Sequence, residues 1–219
     1  MPSTIPVVPP ASRARAWWFA SLVCLLLAPA AIAWLDRPVS LAAHALTHGN
    51  RWVILASDIP TPLFALGAPV LLVSSAAYVW RRRLPGWALT LWLTSVAVVS
   101  ASFAKLALKF IFGRTWPETW VHNNPSFIAN GVFEFRLFAG GDAAYSAFPS
   151  GHLSLLLACC TVIAVRHPRL RLLCALAIVL TAFGQVGANF HWVSDVLAGA
   201  ALGIAVAQCV LTAHARWGQ

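Results

Sequence analysis

Three short stretches of this chain carry the residue types that phosphoryl chemistry needs. They are Lys109-Phe110-Ile111-Phe112-Gly113-Arg114-Thr115-Trp116-Pro117, Phe148-Pro149-Ser150-Gly151-His152 and His191-Trp192-Val193-Ser194-Asp195. His191 and Asp195 stand one helical turn apart, so a helix there puts both side chains on one face. The carboxylate can then hold one ring nitrogen and fix the tautomer, leaving the other nitrogen to attack an electrophile. A His-Asp pair that only caps a helix end fits the same spacing. His152 follows Pro149-Ser150-Gly151 at the start of an apolar run. A helix beginning there offers free backbone N–H groups to an anion, glycine lets a phosphate approach, and the Ser150 hydroxyl can donate as well. His152 is then placed to protonate a departing alkoxide. An ordinary N-cap with an interfacial histidine is the alternative. Lys109 and Arg114 are candidates to hold phosphate oxygens, Arg114 through its planar fork, whereas Lys105 reads as a lysine snorkelling to the headgroups.

The elements that must position these residues are apolar spans. The chain is 60% hydrophobic and 10% charged, against roughly 25% charged for a soluble domain. Its mean hydropathy is +0.77. Runs over residues 17–35, 63–80, 87–112, 152–165, 172–188 and 192–213 predict an all-α integral membrane protein of six transmembrane helices. The 152–165 run is short, and tilt or the apolar residues before it can extend it. Residues 1–35 have the layout of a signal peptide, but the apolar run exceeds the roughly 7–15 residues of a signal core, so an uncleaved first span is expected.

The net charge of +9 does not indicate nucleic acid, because the cations alternate with apolar spans instead of forming one patch. Arg13 and Arg15, Arg81 to Arg83, Arg166, Arg169 and Arg171, and Arg216 all fall on one side of a six-span arrangement. That side is expected to be cytoplasmic, with both termini. The 113–151 connection and the three motifs then lie on the outer face, which is periplasmic if the host is bacterial and the membrane its inner one. Residues 1–16 are expected to be a disordered cytoplasmic tail, 17–213 the membrane domain, and 214–219 a short cytoplasmic tail. The 39–57 stretch, with His44, His48 and Arg51, suits either an interfacial amphipathic helix or a loop. The loop before Ser150 carries Trp116, Trp120, His122 to Ser126, and Phe133 to Phe138 with Arg136 among them. It suits a headgroup clamp or an interfacial aromatic belt equally. All five cysteines, 24, 159, 160, 174 and 209, lie in apolar runs without metal-ligand spacing, and read as packing residues.

In order and spacing the three stretches resemble the signature motifs of the membrane-bound phosphatidic acid phosphatase type 2 superfamily. Those motifs read Lys-x6-Arg-Pro, Pro-Ser-Gly-His and Ser-Arg-x5-His-x3-Asp, and the resemblance covers roughly residues 15–213. It implies a phosphohistidine on His191, oriented by Asp195, with His152 as general acid and Lys109, Ser150 and Gly151 on the phosphate. Two departures stand out. Trp116 occupies the first motif's arginine position, and Gly184-Gln185 replaces Ser-Arg in the third. Arg114 is the nearest substitute cation, Arg136 another, and Gln185 can still donate hydrogen bonds. The resemblance implies a phosphatase acting on a phosphorylated membrane lipid (lipid A, isoprenyl or glycerophospholipid phosphates), needing no cofactor and no metal. A phosphotransferase using the same intermediate, or a lipid-binding or transport protein on the same scaffold, are the alternatives.

Overall fold

The structure is a computed structural model that describes residues 11–81, 84–120 and 123–217. Residues 1–10, Arg82, Arg83, His122 and the last two residues, all part of the sequence expectations above, lie outside the described residues. The chain is all-helical: α1 Ala11–Trp34, α2 Asp36–Thr47, α3 Arg51–Ser57, α4 Thr61–Arg81, α5 Gly86–Phe112, α6 Phe127–Asn130, α7 Gly151–Arg166, α8 Arg171–Gly187 and α9 Val193–Trp217, with two short 3-10 turns. Both ends of the helical body extend past the expected span limits. α1 takes in residues 11–16, where alanine and arginine favour helix, and α9 runs through Trp217 with His214 and Arg216 in its last turn, where cations suit the helix dipole.

Among the described residues, five stretches are long and apolar enough to cross a membrane: Ala14–Trp34, Arg51–Arg81, Gly86–Phe112, Pro168–Gly187 and Val193–Arg216. The sixth expected span, α7, has only 16 residues. Nearly every α7 residue is buried, and the helix packs against α5, α8 and α9, so protein and not lipid surrounds it. Its length is below the roughly 17–25 residues of a transmembrane span. In contrast, α1, α4 and α8 expose Leu26, Leu72 and Leu172.

The core is narrow and lined by small residues. Leu93, Ala97 and Ala101 of α5 meet Ala158 and Val162 of α7 and Ala207 and Leu211 of α9. α7 and α9 approach most closely where Gly199 faces the Ser150 carbonyl and Gly203 the Ser154 carbonyl, and a Cβ at either would run into that backbone. Small residues at such spacing let two helices approach without a hydrophobic driving force from water.

The 39–57 stretch is helical on both sides of a break. α2 and α3 meet at His48-Gly49-Asn50, where Gly49 takes a left-handed φ of 71° and the Asn50 side chain accepts from the Trp52 N–H to start α3. Successive apolar helices alternate in direction, so the ends of α1, α5 and α8 and the starts of α4, α7 and α9 gather at one end of the bundle. All three chemical motifs are there.

Candidate functional site

The backbone ties the motifs together before any side chain is considered. The Ser150 N–H donates to the Asp195 carbonyl (3.0 Å), joining the start of α7 to the start of α9. Arg114 and Ala147 exchange backbone bonds with the segment around them: Arg114 N–H to Tyr145 O (2.6 Å) and Ala147 N–H to Arg114 O (3.1 Å). The Lys109 ammonium donates to the Ser146 carbonyl. The ends of α5, the Pro-Ser-Gly-His turn and the His-Asp pair are thus one connected body.

His191 Nδ1 lies 3.3 Å from Asp195 Oδ2, which also accepts from the Trp192 N–H at 3.1 Å. Both residues are buried. Nδ1 is therefore engaged by the carboxylate, and Nε2 is the nitrogen left for an electrophile. Burial holds the His191 pKa below the ordinary imidazole value, against the opposing effects of the Asp195 carboxylate and the Ala147 carbonyl, so the neutral ring is favoured. Ser150 caps α7, its hydroxyl accepting from the Leu153 N–H at 3.5 Å. His152, in the first turn, packs edge-on against Phe64 with ring centroids 5.0 Å apart, and lies within reach of the charges of His191, Lys105 and Lys109.

Arg114 is not a free cation for a substrate. It is 1% exposed, and one terminal nitrogen bonds Asp195 Oδ1 and Ser194 Oγ (2.7 Å) while the other bonds Asp36 Oδ2 (2.7 Å). Asp36 also accepts from the Ser194 N–H (3.0 Å) and hydroxyl (2.5 Å). The guanidinium lies 4.6 Å from the Phe135 ring, 5.2 Å from Phe133 and 5.1 Å from Trp192. Its geometry makes it the anchor of the carboxylate behind His191. Two of the loop aromatics enclose that anchor, while Leu137 and Phe138 remain exposed. Arg136 is exposed as well, paired with Glu134 at 2.9 Å and stacked over Tyr145 at 4.8 Å.

Gln185 is fully buried, and its Nε2 donates to the Ser57 carbonyl at the end of α3 (3.1 Å). Gly184 is where α8 meets that same end, and a Cβ there would collide with the Ala56–Ser57 backbone. The departure from Ser-Arg is thus matched to α3: glycine admits the helix and glutamine caps it. Trp116 lies against His191, ring centroids 5.2 Å apart, with its Nε1 donating to the Ala143 carbonyl (2.8 Å).

Lys105 is the residue that the sequence reading assigned elsewhere. Its Nζ reaches 3.1 Å from the position a Cβ would take on Gly151, and sits 4.3 Å from the Phe64 ring centroid. It is one turn before Lys109, and that i, i+4 spacing was the available signal. Two lysines therefore stand beside the N-terminus of α7, near both histidines. A helix N-terminus flanked by cations and two imidazoles is suited to bind a phosphoryl group and pass it to a nitrogen nucleophile.

The chain thus joins apolar spans to a cluster, at one end of its bundle, whose chemistry suits phosphate. Comparison with known proteins specifies the family. The PAP2 superfamily model matches residues 90–219, and the chain belongs to that superfamily, a multi-pass membrane family of lipid phosphatases. It is 33% identical over 112 residues to a lipid A 1-phosphatase of Rhizobium etli, covering 51% of this chain and 44% of the relative, so the alignment spans about half the length of that protein. Among solved structures, the fold is similar to that of a transmembrane PAP2-type phosphatidylglycerolphosphate phosphatase from Bacillus subtilis. The TM-score is 0.50 at 20% identity, over 90% of this chain and 95% of the other.

Proposed function

We propose that this protein hydrolyses the phosphate of a membrane lipid through a phosphohistidine on His191. The observation that carries this is the buried His191–Asp195 pair, whose Asp195 backbone also holds Ser150 at the start of α7. His191 Nε2 attacks phosphorus, and the bond from phosphorus to the lipid oxygen breaks as His152 gives that oxygen a proton. Water then attacks the phosphorus–nitrogen bond, returns a proton to His152 and releases inorganic phosphate. The incoming phosphoryl group carries the negative charge that favours a proton on His152. Lys105, Lys109 and the N–H groups opening α7 hold its oxygens, so the step needs no metal at the reacting atoms. Arg114 keeps Asp195 aligned.

Lipid A phosphates lead the candidate substrates, because the Rhizobium etli relative is a lipid A 1-phosphatase. Isoprenyl and glycerophospholipid phosphates follow. The arginine-poor end of the bundle, which holds the site, is the outer face of a bacterial inner membrane by the positive-inside rule.

The test is phosphate release by detergent-solubilised protein from a panel of lipid phosphates with EDTA present, beside His191→Ala. Release that His191→Ala lacks is expected, with a labelled phosphoryl group trapped on the wild-type protein by acid-free quenching. Equal release by the variant would overturn the role of His191. Phosphate that appears only on an added lipid acceptor would make the protein a phosphotransferase.

A further inference from the structure

On the flank of the site, α2 and the loop following α5 bring together a set of ligand atoms that the phosphatase reading does not use. His44 lies in the last turn of α2 and His48 caps its C-terminal end, their rings 4.7 Å apart. Their Nδ1 atoms stand 3.2 and 2.9 Å from the same oxygen, Glu118 Oε1. One ligand atom from each of the three residues lies within 4.8 Å of the others. We infer that His44, His48 and Glu118 form a binding site for a divalent transition metal of the zinc class, which pins the outer loop to α2.

The chemistry of the donors points to that class. Two imidazoles at the end of one helix and a carboxylate are a borderline-soft set, matched to Zn2+ and its neighbours and poorly matched to Mg2+ or Ca2+. The distances fit as well. Bonds of about 2.1 Å in a tetrahedron put neighbouring ligand atoms ~3.4 Å apart; the two Nδ1–Oε1 distances of 3.2 and 2.9 Å lie near that value, and rotation of the partly exposed histidine rings would bring the set around the ion. Glu118 is 8% exposed, and among the described residues no lysine or arginine pairs with it. A buried carboxylate without a fixed cation is costly, and a metal ion would supply one. His44 and His48 are partly exposed, with side-chain accessibilities of 40% and 54%, so an ion can enter from solution and a water can complete its shell.

The ion's purpose follows from what Glu118 touches. Its second oxygen accepts from Asn189 Nδ2 at 3.3 Å, and the same amide nitrogen donates to the Ser40 carbonyl of α2 at 3.0 Å. The Trp120 indole donates to the Asn189 carbonyl, also at 3.0 Å. Asn189 immediately precedes Phe190-His191. A metal on Glu118 would therefore fix the loop, α2 and the turn that presents His191 as one unit. It lies outside the reaction path, and the site stands whatever chemistry His191 performs.

The experiment uses full-length protein without a polyhistidine tag, stripped with EDTA, desalted, and given Zn2+ or Mg2+. Expected are about one zinc per chain after gel filtration, a higher unfolding temperature with Zn2+ and no response to Mg2+. His44→Ala/His48→Ala and Glu118→Gln should each weaken zinc binding at least tenfold, with unchanged far-ultraviolet circular dichroism. Zinc retained equally by the double-histidine variant would place it elsewhere, for example on the cysteines, and overturn the assignment. So would a wild-type protein that keeps no zinc and unfolds at the same temperature with and without it.

Discussion

Removing the guanidinium of Arg114 would leave the carboxylates of Asp36 and Asp195 facing one another in a buried pocket. Arg114→Met is expected to cost about 3–5 kcal/mol of stability, the range for stripping one partner from a buried ion pair, and to lower the unfolding temperature in detergent. Asp36→Asn in the same background should recover part of it, because it removes one orphaned charge; no recovery would mean the network does not work as a unit. For Lys105 the expectation is different. Lys105→Met should lower kcat/KM roughly 10²-fold, the effect of losing one charged donor to a transferring group, while the unfolding temperature stays near wild type. Arg136→Ala should do little to either, since an exposed pair contributes little.

His191 gives a pH prediction whose sign follows from burial. Its folded pKa lies below the unfolded value, so the unfolded chain binds more protons as pH falls below about 6.5. The stability contributed by the neutral ring is complete above that pH and is lost progressively toward the folded pKa. His191→Gln should flatten the dependence of unfolding temperature on pH in that window. The His191–Asp195 contact and the Ser150 cap were legible in the sequence because each joins residues about one turn apart. The role of Arg114 was not, since its partner Asp36 lies 78 positions distant and only the folded chain brings them together.

Among the elements, α3 explains what looked like a loss. The motif positions taken by Gly184 and Gln185 face the Ser57 end of α3. Gly184→Ala should therefore destabilise by about 1–3 kcal/mol, the usual penalty for overpacking. Gln185→Arg, which restores the family's residue, should lower stability without raising activity, because a guanidinium there would displace α3 or bury its charge. An active, stable Gln185→Arg variant with tighter substrate binding would show that the position still opens onto the phosphate. The apolar spans were legible because hydrophobic length is a local property, and α5, α8 and α9 match their expected runs within a few residues. α2 and α3 were left open because short amphipathic pieces depend on what they pack against. Here that is α8: Thr47 donates to the Gly187 carbonyl at 2.5 Å, and Asn189 reaches Ser40.

At the scale of the molecule, the two ends of the bundle differ in charge. Arg81, Arg166, Arg169, Arg171 and Arg216 gather at one end, whereas the other mixes Arg37, Arg51, Lys105, Lys109, Arg114 and Arg136 with Asp36, Asp58, Glu118, Glu134, Asp142 and Asp195. The positive-inside rule counts arginine and lysine in short loops, and on that ground we propose that the first end faces the cytoplasm and the site the outside. The proposed placement bears on the substrate, because a site on the outer face would meet lipids of the outer leaflet. Single cysteines can test it. Ala129→Cys lies in the outer loop and Arg169→Cys in the connection between α7 and α8, and both positions are exposed. The background must first lose Cys24, Cys159, Cys160, Cys174 and Cys209, all free thiols. In intact spheroplasts, a membrane-impermeant maleimide should label Ala129→Cys at once and Arg169→Cys only after lysis. The opposite pattern would put His191 in the cytoplasm and turn the substrate search toward lipid phosphates made on that side.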